Sequence, residues 1–210
     1  MEHGILSGKK IIEEVNSGRI SISPFLHKNV NPVSVDLTLG RKFSVYKSVI
    51  VGNWDKRMIV GDNLHPIPNW FRMPSGYIDA KTENDVTEHE LDDGEAIYLK
   101  PGIGYLAHTA ERVWTDSYVP IIDGKSSIGR LFTQIHISAG FGDPGFSGQY
   151  TLEIVVTHPI ILYVGMKICQ IRFNTIYGEH TSYKMTGNYK DKLAEGPIPS
   201  QSHRMFKTDV

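Results

Sequence analysis

Apolar positions along this chain recur mostly with a period of two, the spacing that puts alternate side chains on one face of a strand. The runs "SVDLTLG" (34–40), "KFSVYKSVIV" (42–51), "EAIYL" (95–99), "GYLAHTAERV" (104–113), "QYTLEIVV" (149–156), "IILYV" (160–164) and "KICQIRF" (167–173) each read as a strand. Turn-forming residues separate them, as in "KPG", "DPGFSG" and "VGMK". Helical spacing shows once, in "ILSGKKIIEEVNSGRI" near the N-terminus. Ser7 suits the cap there, Ile11, Ile12 and Val15 the apolar stripe, and Gly18 the stop. Many short strands and one short helix predict a mainly β fold, a sandwich or β-barrel of jelly-roll type. There is no βαβ alternation and neither glycine-rich nucleotide fingerprint is present, so a Rossmann or P-loop fold is not expected.

Two regions break the pattern. Residues 50–93 mix Trp, Pro and acidic side chains, and are expected to form long loops or a hairpin inserted in a single domain spanning 1–210. The tail 183–210 is polar, with Gly and Pro. Such tails are often disordered, or ordered only over a ligand or a neighbouring subunit.

Composition narrows the class. A chain of 210 residues, 40% hydrophobic and 21% charged, suffices for one globular core. A net charge of −1 argues against a protein that coats nucleic acid. No apolar run approaches the length of a membrane span, and "MEHGILSGKK" lacks the apolar centre of a secretion signal. Neither nucleic acid nor membrane is expected as a partner, and the expected location is cytoplasmic. The one cysteine, Cys169, excludes an internal disulfide and a Cys-rich zinc site; its alternation in "KICQIRF" reads as a buried strand residue.

The candidate chemistry sits in the centre. "DGKSSIGRLF" (123–132) places Lys125, Ser126, Ser127 and Arg130 between apolar runs. If Ser126 opens a helical turn, Ser126 and Arg130 share a face, and Lys125 beside the free N–H groups suits a phosphate. A capped turn with solvated Lys and Arg accounts for the same residues. Downstream, Gln149, Thr151 and Glu153 fall on one strand face, with Tyr150, Leu152, Ile154 and Val156 on the other. Apolar flanks suit Glu153 to general acid/base work, although an exposed strand carboxylate fits the pattern equally. Asp143-Pro144-Gly145 is a turn. His136 reads as a hydrogen-bonded structural histidine, and Asp92 and Asp93 as turn residues. The nine histidines show none of the His/Cys spacing that zinc nucleobase deaminases need.

Taken together, "SGRISISPF", "NPVSVDLTLG", "LKPG", the long block "DGKSSIGRLFTQIHISAGFGDPGFSGQYTLEI", "VGMKICQIRF" and, weakly, "GPIPSQS" resemble the dCTP deaminase family of the trimeric dUTPase superfamily. The resemblance implies a distorted jelly roll assembled as a homotrimer with intersubunit active sites. It implies Glu153 as the base that activates water against cytosine C4, Ser126 and the Ala139 carbonyl as positioners of that water, and Arg130 as the group orienting Glu153. It places Lys125 and Ser127 toward the triphosphate and Asp143 near sugar and base. It adds Gln149 and Tyr183 to the nucleotide contacts. Magnesium is implied as a partner of the triphosphate, with no zinc.

Two departures matter. Single-activity deaminases usually carry His-Arg after the alanine; Gly140-Phe141 stands here and resembles the bifunctional branch that releases dUMP, where Asp143 would activate water against the α-phosphate. The family tail usually has Lys-Tyr followed by Gln; here Asn188 precedes Tyr189 and Lys192 stands where Gln is expected, with Lys190 or Lys192 as substitute charge. The main expectation is deamination of dCTP to dUTP and ammonia. The alternatives are a bifunctional deaminase and diphosphatase giving dUMP, a dUTPase-like hydrolase, or a non-catalytic nucleotide-binding trimer.

Overall fold

The Ser7 hydroxyl accepts from the Lys10 N–H at 3.3 Å and starts helix α1 (Gly8–Asn16), which Ser17 caps just before Gly18. The computed structural model describes residues 4–47, 57–60, 63–66, 78–189 and 195–206. In α1 the buried side chains include Ile11 and Glu14, whereas Ile12 and Val15 are half-buried. The stripe read from the sequence therefore misses a carboxylate. Glu14 is tolerated inside because the Arg19 guanidinium grips it (Nη2–Oε1 2.6 Å) and Lys10 reaches it at 3.1 Å. Arg19 first, then Tyr118 and Lys10, hold the Glu14 carboxyl down at about 2 against the opposing effect of burial.

Contacts divide the chain into two compact units, Met1–Val45 with Glu88–Pro199, and Tyr46–Thr87 with Ser200–Val210. The strands are β1 (Ile20–Ser23), β2 (Val35–Thr38), β3 (Lys42–Tyr46), β4 (Arg57–Val60), β5 (Asn63–Pro66), β6 (Val86–Glu90), β7 (Ala96–Leu99), β8 (Tyr105–Thr115), β9 (Tyr118–Gly124), β10 (Thr133–Gln134), β11 (Ser147–Val156), β12 (Ile160–Tyr163) and β13 (Lys167–Thr175). One sheet runs β10-β11-β8-β3-β6, with β1 added on β8. A second runs β2-β13-β9, and β7 pairs with β12. The fold is mainly β, as the alternation predicts, and the described sheets do not close into a barrel. Strands β1, β4, β5, β6, β9 and β10 were not among the runs the alternation marks; β9 carries the unbroken apolar stretch "VPII" in place of an alternation.

Alternation decides the core. Along β11, Leu152, Ile154 and Val156 are buried, and along β13, Ile168, Cys169, Ile171 and Phe173. They meet Leu37, Leu39 and Phe43 from β2 and the residues after it. Each fully buried large side chain contributes about 1.5–3 kcal/mol relative to exposure. Cys169 is fully buried, as expected, and burial pushes its thiol well up.

In the second unit, β4 and β5 form an antiparallel hairpin within the expected insertion, with Ile59 opposite Leu64. There the Ser200 N–H donates to the Tyr46 hydroxyl at 2.8 Å, ahead of a 3₁₀ turn at Ser202–Phe206. In the first unit the tail backbone is tied down by β11: the N–H groups of Gly196 and Ile198 donate to Gln149 Oε1 (2.9 Å) and Thr151 Oγ1 (3.0 Å). Tail residues 196, 198 and 200 thus carry hydrogen bonds to earlier parts of the chain. Asp93 and Gly94 form the expected turn, and Asp92 just before it binds Arg41 at 3.0 Å. No helix among the described residues is long and apolar enough to cross a membrane.

Candidate active site

β9 delivers the chain into α2 (Ser126–Gly129), so Ser126 does open a helical turn. Lys125 is its N-cap residue, and its carbonyl accepts from the N–H groups of Ile128 (3.0 Å) and Gly129 (2.8 Å). Ile128 is buried beneath the turn, while Ser126, Ser127 and Arg130 are exposed. The Arg130 side chain makes no ion pair among the described residues. Lys125 departs from its expected outward direction: its ammonium is bonded to the buried Asp36 carboxylate.

After α2 the chain turns back along β11. β10 pairs Thr133 with Val156 and Gln134 with Val155. The Glu153 N–H then donates to the Ile135 carbonyl at 3.0 Å, and the Ile137 N–H donates to the Glu153 carboxylate at 2.9 Å. Glu153 is half-buried, on the same face as Gln149 and Thr151. One continuous segment, 126–137, thus joins the serine/arginine turn to the carboxylate.

Residues 140–142 run along β9. The Ile122 N–H donates to the Gly140 carbonyl, the Gly142 N–H to the Pro120 carbonyl (2.7 Å), and Phe141 bridges to Ile121. A Cβ on Gly140 would lie 2.8 Å from the Ile122 oxygen and 3.0 Å from the His136 ring, so no side chain fits without displacement. Ala139 and Phe141 are exposed. The turn that follows is closed by Phe146 N–H on the Asp143 carbonyl (3.2 Å), with Pro144 at its second position and Gly145 at φ +92° at its third. These are the requirements of a type II turn. Asp143 projects from it, exposed.

The tail buttresses this turn. The Tyr183 N–H donates to the Pro144 carbonyl at 2.7 Å, and the Tyr183 ring meets Phe146 edge-on at 5.7 Å. Tyr183 begins α3 (Tyr183–Thr186), and its hydroxyl accepts from the Tyr189 N–H at 3.0 Å. Phe146 also packs on Tyr150, whose hydroxyl is pushed up by burial and then by the Asp143 and Tyr183 charges. Asp143, Tyr150 and Tyr183 therefore share one electrostatic neighbourhood, which the sequence assigned only in part. Gln149 donates to the Ala110 carbonyl (3.1 Å) and accepts from Gly196, so its amide is spent on strand and tail. Lys190 and Lys192 lie outside the described residues.

Sequence reasoning missed the residues beneath α2. Asp36 on β2 binds Lys125, Lys167 (2.9 Å) and Asn31 (2.8 Å). Gln170, opposite Asp36 in the β2–β13 register, accepts from Ser34 (2.8 Å) and donates to the Gly124 carbonyl (3.0 Å). The one available signal was a carboxylate between Val35 and Leu37. His136 is a correction: its Nδ1 is buried with no hydrogen-bond partner among the described residues. No group of three or more His, Cys, Asp or Glu among those residues is placed to hold a metal ion.

A family model described as dCTP deaminase-like matches residues 5–176. The dUMP-forming dCTP deaminase of Clostridium beijerinckii is 36% identical over 203 residues, covering 97% of this chain and 99% of that protein. That of Leptospira biflexa is 37% identical over 203 residues, covering 97% and 98%. The crystal structure of 2'-deoxycytidine 5'-triphosphate deaminase from Agrobacterium tumefaciens superposes with a TM-score of 0.54 at 23% identity. The match covers 92% of this chain and 55% of that one, so the chain spans about half of its length, and the likeness speaks to the fold. With the family model over most of its length and full-length relatives above 30% identity, the chain belongs to the dCTP deaminase-like family.

Proposed function

We propose that the protein converts dCTP to dUMP, ammonia and pyrophosphate by two hydrolytic steps. This replaces dUTP, the product expected first from the sequence, with the bifunctional alternative. The observation that carries it is the backbone around Gly140: that position backs onto the Ile122 carbonyl and the His136 ring and has no room for the histidine of single-activity enzymes. The relatives named dUMP-forming support the same reading.

In the first step Glu153, steadied by the Ile137 N–H, takes a proton from water as the oxygen attacks C4 of cytosine. The carboxyl returns protons to N3 and to the leaving amine, so ammonia departs and uracil remains. Ser126 and the Ala139 carbonyl position the water, and Arg130 supplies positive charge. In the second step Asp143, exposed on its turn, activates water against the α-phosphate and pyrophosphate leaves. Lys125, Ser127 and Tyr183 serve the phosphates and sugar. Magnesium accompanies the triphosphate as its counter-ion. Ser126, Ser127, Arg130, Ala139 and Asp143 are all exposed in one chain, beside exposed Leu131, Ile137 and Phe141. That exposure supports a homotrimer in which a neighbouring copy completes each site.

Paired variants test the division of labour. Glu153→Gln keeps an acceptor for Ile137 but no proton acceptor. Deamination should fall by roughly two to four orders of magnitude while supplied dUTP is still hydrolysed. Asp143→Asn should lose most pyrophosphate release and weaken deamination only through poorer binding. Full deamination by Glu153→Gln would remove the catalytic assignment.

A further inference from the structure

The buried carboxylate beneath α2 holds more cations than it needs. The Asp36 side chain is only 5% exposed, yet it takes both Lys125 (20% exposed) and Lys167 (44% exposed), together with the Asn31 amide. One lysine and the amide already satisfy a buried carboxylate, because what is costly is leaving such a charge unpaired. The second lysine is therefore available for other work. Lys125 is the one placed for it, since its backbone starts the turn that carries Ser126, Ser127 and Arg130. Lys167 approaches Asp36 through its other oxygen, from β13, two residues before Cys169, which pairs with Gly124 on β9.

Resting on the function proposed above, we infer that Asp36 and Lys167 are positioning residues for nucleotide binding. Asp36 stores Lys125 in the free protein. When the polyphosphate arrives, Lys125 turns from Asp36 to the anion, and Lys167 with Asn31 keeps the carboxylate paired. Nothing covalent changes; one charge-assisted bond is exchanged for another. The exchange also reconciles the inward direction of Lys125 with the phosphate contact expected of it.

A double-mutant cycle tests this. Lys167→Met leaves Asp36 with Lys125 and Asn31 in the free protein, so its melting temperature should stay close to wild type. On binding, however, Lys125 must now abandon a buried carboxylate. KM for dCTP and the dissociation constant for a non-hydrolysable α,β-imido analogue of dUTP, read by calorimetric titration, should rise about tenfold or more, the factor for one lost charged hydrogen bond, with the effect on KM and not on kcat. Lys167→Arg should restore both values. In a Lys125→Met background no lysine leaves Asp36, so adding Lys167→Met should lower the melting temperature but leave nucleotide affinity unchanged. If that double variant does not fold, Asp36→Asn with Lys167→Met gives the same reading, because a neutral amide needs no counter-charge. Unchanged affinity in Lys167→Met alone would overturn the inference. So would an equal loss of affinity in the second background, which would mean that Lys167 attracts the phosphates directly. Loss of turnover with binding of the α,β-imido analogue retained would instead count against the catalytic reading.

Discussion

The Ile137 N–H donates to the Glu153 carboxylate at 2.9 Å, while the Glu153 N–H donates to the Ile135 carbonyl at 3.0 Å. The segment after α2 thus holds both the backbone and the side chain of the proposed base. Glu153→Asp keeps the charge and the proton acceptor but withdraws them by one methylene from that anchor. A misplacement of about 1 Å can cost about a hundredfold. The expected outcome is a fall in deamination of about that size with unchanged dUTP hydrolysis, read by steady-state kinetics on both substrates.

His108 supplies a pH dependence of stability. It is 4% exposed, its Nδ1 lies 2.8 Å from the Thr109 carbonyl, and its Nε2 accepts from the Lys42 N–H at 3.1 Å. That Nε2 must be unprotonated, and burial lowers the pKa of the imidazole from its ordinary value near 6.5. The unfolded chain therefore binds the proton first. Stability is fully present above pH 6.5 and is lost as pH falls below it, by up to about 1.4 kcal/mol per pH unit. Glu14 adds a second, more acidic window: its contribution is present above pH 4.5 and is lost as pH falls toward about 2. Denaturant melts at pH 7.5, 6.5 and 5.5 check the first. A His108→Gln variant should lose the slope between 6.5 and 5.5.

Phe132 sits at φ +54°, the non-glycine residue with positive φ among those described, and its ring is exposed against His158 at 5.3 Å. A left-handed side chain costs about 1–2 kcal/mol, and glycine's extra unfolded freedom returns about half of it. Phe132→Gly is expected to raise stability by about 0.5–1 kcal/mol in equilibrium unfolding. A loss of stability would mean that the ring is packed in solution, against another copy.

Assembly is open to a direct check. Light scattering of the purified protein at micromolar concentration should give three times the chain mass. A fully active monomer would contradict sites completed by a neighbouring copy.

Much of this was legible in the sequence because it is local. The alternation of Leu152, Ile154 and Val156 fixed which way Glu153 faces, and Ser126 opens its turn as the spacing suggested. What stayed hidden depends on partners far along the chain. Asp36 meets Lys125 across 89 positions, and no local pattern marks a carboxylate that is paired only after β2, β9 and β13 assemble. Glu14 lies outside the stripe of Ile11, Ile12 and Val15 read from the sequence, yet it is buried because Arg19 reaches back to it. The tail read as disordered, or ordered only over a ligand or a neighbouring subunit, because its donors find their acceptors, Gln149 and Thr151, on a distant strand.

The most direct measurement is a product time course with dCTP and magnesium, resolving dUTP, dUMP, ammonia and pyrophosphate. The account predicts dUMP, ammonia and pyrophosphate in equal amounts. Accumulation of dUTP with no pyrophosphate would contradict it and leave a simple deaminase, and unchanged dCTP under conditions where the protein is folded would contradict catalysis altogether.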